Sequence, residues 1–243
     1  MTTPPYPELV AAIRQEGEGL LAAAALGLDP PVPGCDGWDV GALVRHIAMI
    51  YANVINVVTN RLTAPPEGPP AVPAGEPVAA LRELLDELVA TLADSAPDTP
   101  AWNWDDGDAG VAAFWARRMA HESSVHRFDA QAAHGMRQPI DAELAGDGLD
   151  EYVDLIVPRL FVRDGTTGPE GTVALASSDN GTWCLQLQPR GIERLDVLKQ
   201  PDVTVTGTTS ALLLACCSRV GWDTLEVDGD VSLLDRWTAA LNF

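Results

Sequence analysis

Between Met119 and Gln131 the chain reads "MAHESSVHRFDAQ", which sets His121, Glu122 and His126 within six positions. Imidazoles and carboxylates at short helical spacing are the donors of divalent-metal sites. The H-E-x-x-H arrangement of a zinc protease is excluded, because the fourth residue after His121 is Val125. The two histidines, five apart, point about 140° from each other around a helix and cannot share an ion. Glu122 and His126 are four apart, roughly 40° around the axis and one turn along it, so their side chains converge. The usable pair is E-x-x-x-H. Two donors do not make a site, so a third has to come from another element.

His46 is the candidate for that third donor. It lies beside the apolar stripe Leu43, Ile47, Ile50, Val54 and Val58 of a helix expected over 40–62, which Asp39 can cap. Three N/O donors leave a position open, the pattern of catalytic zinc, and nickel or iron(II) also accept two histidines and one carboxylate. Asp129 falls within about 20° of Glu122 around the helix. It is placed better as an outer partner than as a fourth ligand. The bland alternative is a hydrogen-bonded core histidine at His46 and a solvated helix-face residue at Glu122. His121 and His134 have a structural or surface reading.

These donors need elements to hold them. Apolar periodicity predicts helices over 7–26, 40–62, 77–94 and 109–134, the last closed by Gly135. Four long helices read as a bundle. Between the second and third, "TAPPEGPPAVPAGEP" is too rich in Pro and Gly for a helix. Trp102 and Trp104 sit in a polar connection and need an apolar surface to pack on. A trailing helix is expected over 141–161. Beyond it, "TVALASS", "WCLQLQ", "RLDVL" and "DVTVTG" read as short strands, followed by a helix over 209–220, a strand "TLEVDG" and a helix over 231–241. The expected organisation is a helical domain over 1–161 and a smaller α+β domain over 162–243.

Fifteen basic against 35 acidic residues leave a net charge of −20, which repels nucleic acid and anionic membranes. Lys199 is the only lysine, which with abundant Ala, Gly and Pro suggests a GC-rich genome or a halophile. The N-terminus "MTTPPYPELV" has no basic segment followed by an apolar run, and a cytoplasmic location is expected. Cys35, Cys184, Cys216 and Cys217 have no C-x-x-C spacing and read as buried free thiols.

Two motifs in the right order carry a family resemblance over nearly the whole chain. "CDGWDVGALVRHI" is similar to C-P-G-W-x-V-x-x-L-x-x-H, and "FWARRMAHESSVHRFDAQ" to R-R-x-x-H-E-x-x-x-H-R-x-D-A, with "DGLDEY" following. Both belong to the mycothiol-dependent maleylpyruvate isomerase family. The resemblance implies a DinB-like four-helix metal-binding bundle followed by a sterol-carrier-like α/β domain. It implies His46, Glu122 and His126 as metal ligands, zinc first among the candidate ions, and mycothiol as thiol cosubstrate.

In the family's C-terminal domain an arginine near a helix end faces the metal cleft, and Arg219 is the matching position. Two departures stand out: Asp36 replaces the usual proline, and "CCSRVGWD" differs from the common Trp-Gly-Arg stretch. The implied chemistry is addition of the thiolate to a small electrophile, for which Arg219 could clamp a carboxylate. The outcome is cis-trans isomerisation or S-transfer, in a monomer or small homo-oligomer. A ligand-binding protein that keeps the metal as scaffold, and a metal-dependent hydrolase with Asp129 as base, are the alternative readings.

Overall fold

The structure, a computed structural model, describes residues 3–105 and 110–241. Contacts divide the chain into two compact units, Pro4–Gln138 and a second one from Pro139 onward. The N-terminal unit is helical: α1 (Tyr6–Ala24), α2 (Val40–Thr59), α3 (Pro77–Ala93) and α4 (Ala112–Ala133). Ala109, where periodicity starts the fourth helix, lies outside the described residues.

Each boundary has a local cause. Asp39 Oδ1 accepts the Ala42 N–H at 2.6 Å, the side-chain cap expected for α2. Pro77 opens α3 at a position where its missing N–H has no helical partner to lose. Gly135 ends α4 at φ 70°, with its N–H on Ala132 O and the Met136 N–H on Gln131 O, a Schellman closure.

The bundle core is built from Leu9, Ile13 and Leu20 of α1, Leu43, Ile47 and Val54 of α2, and Leu81, Leu85, Leu88 and Leu92 of α3. Gly17 and Gly19 let α1 approach its neighbours. A Cβ at Gly17 would stand 2.5 Å from Leu85 Cδ1, and one at Gly19 would stand 2.7 Å from Arg127 Cδ. By length and composition α2 could cross a bilayer, but its apolar stripe is buried, as in the core helix of a bundle. Trp102 and Trp104 belong to this unit. Trp115 Nε1 donates to Trp102 O at 2.8 Å, and Trp104 packs edge-on against Phe114.

α4 differs from the other three helices. His121, Ser123, Ser124, His126, Arg127, Asp129 and Gln131 are all buried on it. Burying that many polar groups is costly unless each is paired, so this helix carries either a polar network or a site.

The second unit begins with α5 (Ala142–Glu151), a π-helical turn over Tyr152–Ile156 and α6 (Val157–Asp164). Pro158, with no N–H to donate, follows that turn. The helix expected to trail the bundle up to residue 161 therefore falls in the second unit. It packs there against α7 (Thr209–Cys216) and against the sheet. Trp183 Nε1 donates to Asp150 Oδ1 at 2.8 Å, and Arg194 pairs with the same oxygen at 2.7 Å, tying α5 to the strands.

The sheet has β1 (Gly171–Ser177), β2 (Thr182–Gln188), β3 (Gly191–Leu195), β4 (Val203–Gly207) and β5 (Glu226–Gly229), in the order β3-β2-β1-β4-β5. β1 pairs parallel with β4, and the other neighbours are antiparallel. Trp183, Leu185 and Leu187 alternate into the core from β2. β3 sits earlier than the expected "RLDVL". Gln188 pairs with Gly191, so a two-residue turn at Pro189 and Arg190 sets the register before the apolar residues are reached. The chain closes with α8 (Val231–Leu241).

α7 stops four residues short of the expected 220. Ser218 adopts φ 60°, its N–H bonds Ala215 O at 3.0 Å, and the Arg219 N–H bonds Leu214 O at 2.7 Å. This is again a Schellman closure, with serine in the left-handed position that glycine favours.

Candidate metal centre

Within the N-terminal unit, α2 carries His46 and α4 carries Glu122 and His126, and the fold brings the three together. Glu122 Oε1 lies 3.4 Å from His46 Nε2 and 3.2 Å from His126 Nε2. The two imidazoles stand 5.3 Å apart, their planes 79° to each other. All three donor atoms lie within 4.8 Å of one another. A tetrahedral ion at 2.0–2.2 Å from each ligand needs donor separations of roughly 3.4 Å, so this set fits a divalent ion.

Each donor is oriented by a neighbour. Arg118, one turn before Glu122 on the same helix, pairs with Glu122 Oε2 and leaves Oε1 turned toward the histidines. His126 Nδ1 lies 2.8 Å from Asp129 Oδ2, so Nδ1–H donates to the carboxylate and Nε2 is left facing Glu122. Asp129 is only 1% exposed and sits behind His126, on the side away from Glu122. Trp38 meets the His46 ring edge-on, with centroids 4.9 Å apart.

The electrostatics follow from this packing. Burial pushes the Glu122 carboxyl up, but the Arg118 charge and the hydrogen bonds of His126 and His46 together hold it well below the usual carboxylate range. Burial pushes His126 down, yet its bonds to Asp129 and Glu122 carry it up from 6.5 to about 9. Protonated His126 therefore contributes stability to the metal-free chain that is full below pH 6.5 and lost as pH rises through about 9. A metal must displace that proton. Apparent Zn²⁺ affinity is expected to climb with pH toward that value, by up to about tenfold per unit, in competition titrations against a chromophoric chelator. An affinity flat across the window would exclude His126 as a ligand that must lose a proton.

A second donor group, Cys35, His126 and Asp129, shares the same histidine. Cys35 Sγ lies 3.7 Å from Asp129 Oδ2. None of the four cysteines is in a disulfide, and only Cys216 is buried, whereas all four were expected to be; Cys35, Cys184 and Cys217 are half-buried. His121 is buried on α4 and joins neither group, and His134 is the cap residue at the end of that helix. Arg219 stands in the second unit, positioned by the turn after α7, with its Nη1 donating to Cys217 O at 2.8 Å. Ser218, the residue before it, holds a left-handed conformation at φ 60°.

Sequence reasoning did not single out Arg118 or Cys35 for a role at this site. The four-residue step from Arg118 to Glu122 was a visible signal. Nothing in the spacing linked Cys35 to residues more than ninety positions away.

Residues 10–131 match the family model of the mycothiol maleylpyruvate isomerase N-terminal domain, and residues 143–236 match that of the MDMPI C-terminal domain. The sequence matches no curated protein. The chain is similar to the crystal structure of the mycothiol-dependent maleylpyruvate isomerase, with a TM-score of 0.63 and 18% identity, over 95% of this chain and 98% of that one. A histidine-to-alanine variant of that isomerase gives a TM-score of 0.61 with the same identity and coverage. At this identity the likeness establishes the fold.

Proposed function

The chain belongs to the mycothiol maleylpyruvate isomerase family, and from that membership we propose that it is a metalloenzyme using mycothiol as thiol cosubstrate against a small electrophile. The observation that carries the reading is the set of His46 Nε2, Glu122 Oε1 and His126 Nε2, two imidazoles and one carboxylate at separations suited to one ion. A divalent ion, zinc first and nickel or iron(II) next, supplies when bound an open position that holds a thiol deprotonated at neutral pH.

The chain's own residues prepare that position. Arg118 fixes the Glu122 carboxylate, and Asp129 keeps the His126 proton on Nδ1, so Nε2 is offered as a lone pair. In the isomerisation reading, the thiol sulfur adds to a cis double bond conjugated with a carbonyl and the resulting single bond rotates. Elimination then returns the thiol and the trans isomer. In the S-transfer reading the adduct is released. Arg219 is assigned to a substrate carboxylate, which a guanidinium accepts with two parallel hydrogen bonds. Asp129 is committed to His126, which favours thiol chemistry over hydrolysis by a bound water with Asp129 as base.

Calorimetric titration of mycothiol into the zinc-loaded protein, in two buffers of different ionisation enthalpy, tests this. Binding with release of up to about one proton is expected. A protein that holds zinc but takes up no mycothiol sinks the thiol-dependent reading and leaves the ligand-binding and hydrolytic ones.

A further inference from the structure

The stretch "CDGW" folds as a turn against the metal centre. The Trp38 N–H donates to Cys35 O at 3.0 Å, and Gly37 takes φ 78° at the third position, as type II turns require. The second position is the one that proline favours without being obligatory, which accounts for the tolerance of Asp36 there. The turn is stitched to its surroundings: the Val32 N–H bonds Trp38 O at 2.9 Å, and the Cys35 N–H bonds Val32 O at 3.1 Å. Asp39, the next residue, caps the helix that carries His46.

Its two ends reach both histidines. Trp38 lies edge-on to the His46 ring. Cys35 Sγ donates to Asp129 Oδ2, the same oxygen that accepts from Nδ1–H of His126. We propose that the 35–38 turn is a positioning element of the metal centre, holding both histidine ligands from behind, Trp38 against His46 and Cys35, through Asp129, against His126. The inference rests on the ligand set proposed above. It gives the first motif a physical reason for its length, since Cys35 and Trp38 must close a turn just before the helix that delivers His46.

Co²⁺ binding to the full chain tests it, read as a dissociation constant by chelator competition and as the visible ligand-field spectrum. Asp129→Asn is expected to weaken binding about 10–100-fold, the usual cost of losing an outer-shell partner. Cys35→Ala removes a weak donor and is expected to cost roughly threefold, with Cys35→Ser restoring most of it. Trp38→Leu is expected to shift the spectrum, with Trp38→Phe closer to the parent. Parent affinity and spectrum in both Cys35→Ala and Trp38→Leu overturn the proposal. Equal losses in Cys35→Ser and Cys35→Ala mark a packing effect and overturn it as well. A parent chain that binds no Co²⁺ overturns the ligand set itself, and this inference with it.

Discussion

Replacing His126 by alanine is expected to abolish both tight divalent-metal binding and thiol-dependent turnover while leaving the bundle folded. The two ring nitrogens of His126 serve different partners, Nε2 at 3.2 Å from Glu122 and Nδ1 at 2.8 Å from Asp129. Its removal takes away one of the three proposed donors and the Asp129 contact that orients it. The loss should exceed the roughly 10–100-fold typical of an outer partner alone. Metal content after dialysis and thiol-dependent turnover measure the effect, and far-UV circular dichroism checks the fold. Thiol-dependent activity at the parent level in this variant would end the metal-centred mechanism. Loss of activity with full metal content would place His126 in some other role.

The second large effect concerns stability, one residue further along α4. Arg127 is 5% exposed, donates from Nε to Glu16 Oε2, and donates from Nη1 to Gln131 Oε1 at 2.8 Å and to Gln138 O at 3.0 Å. Glu16 on α1 is 4% exposed. Arg127→Ala leaves that carboxylate buried without this guanidinium, and a cost of about 3–5 kcal/mol is expected by urea denaturation. Replacing both partners with apolar residues, Glu16→Leu with Arg127→Met, should recover much of it, because the desolvation penalty leaves together with the attraction. The two single variants and the double variant form a cycle. A single-variant cost below about 1 kcal/mol would be the behaviour of a solvated pair, not a buried one.

The two effects separate cleanly because α4 has two polar faces. Glu122, His126 and Asp129 turn toward α2 and the 35–38 turn, whereas Arg127 turns toward α1. The expected signature of Arg127→Ala is therefore a lower denaturation midpoint without loss of the metal donors. His126→Ala should lose metal binding while the bundle stays folded, at a midpoint lowered only by the stability that the protonated imidazole supplies.

Much of this was legible in the chain itself. The four bundle helices, their caps at Asp39 and Gly135, and the strand texture after residue 170 are local properties. Periodicity, a capping side chain and a glycine at φ 70° act over a few residues. The E-x-x-x-H pair was legible for the same reason, since one turn of helix fixes the relation between Glu122 and His126 whatever surrounds them. His46 was a candidate by residue type and by its place beside an apolar stripe.

Only the tertiary structure decided the rest. That His46 meets Glu122 depends on how α2 and α4 pack, 76 positions apart, and no spacing rule reaches that far. Cys35 read as a buried free thiol, and its contact with Asp129 came from a turn folding onto a distant helix. The helix over 141–161 read as trailing the bundle in the N-terminal domain, because amphipathic periodicity says that a face is buried, not against which partner, and the fold buries it in the second unit. β3 slid toward the N-terminus for the same kind of reason, since a two-residue turn at Pro189 and Arg190 sets the register before side-chain preference can act. Local pattern determined which residues could do chemistry, and long-range packing determined which of them stand within bonding distance of one another.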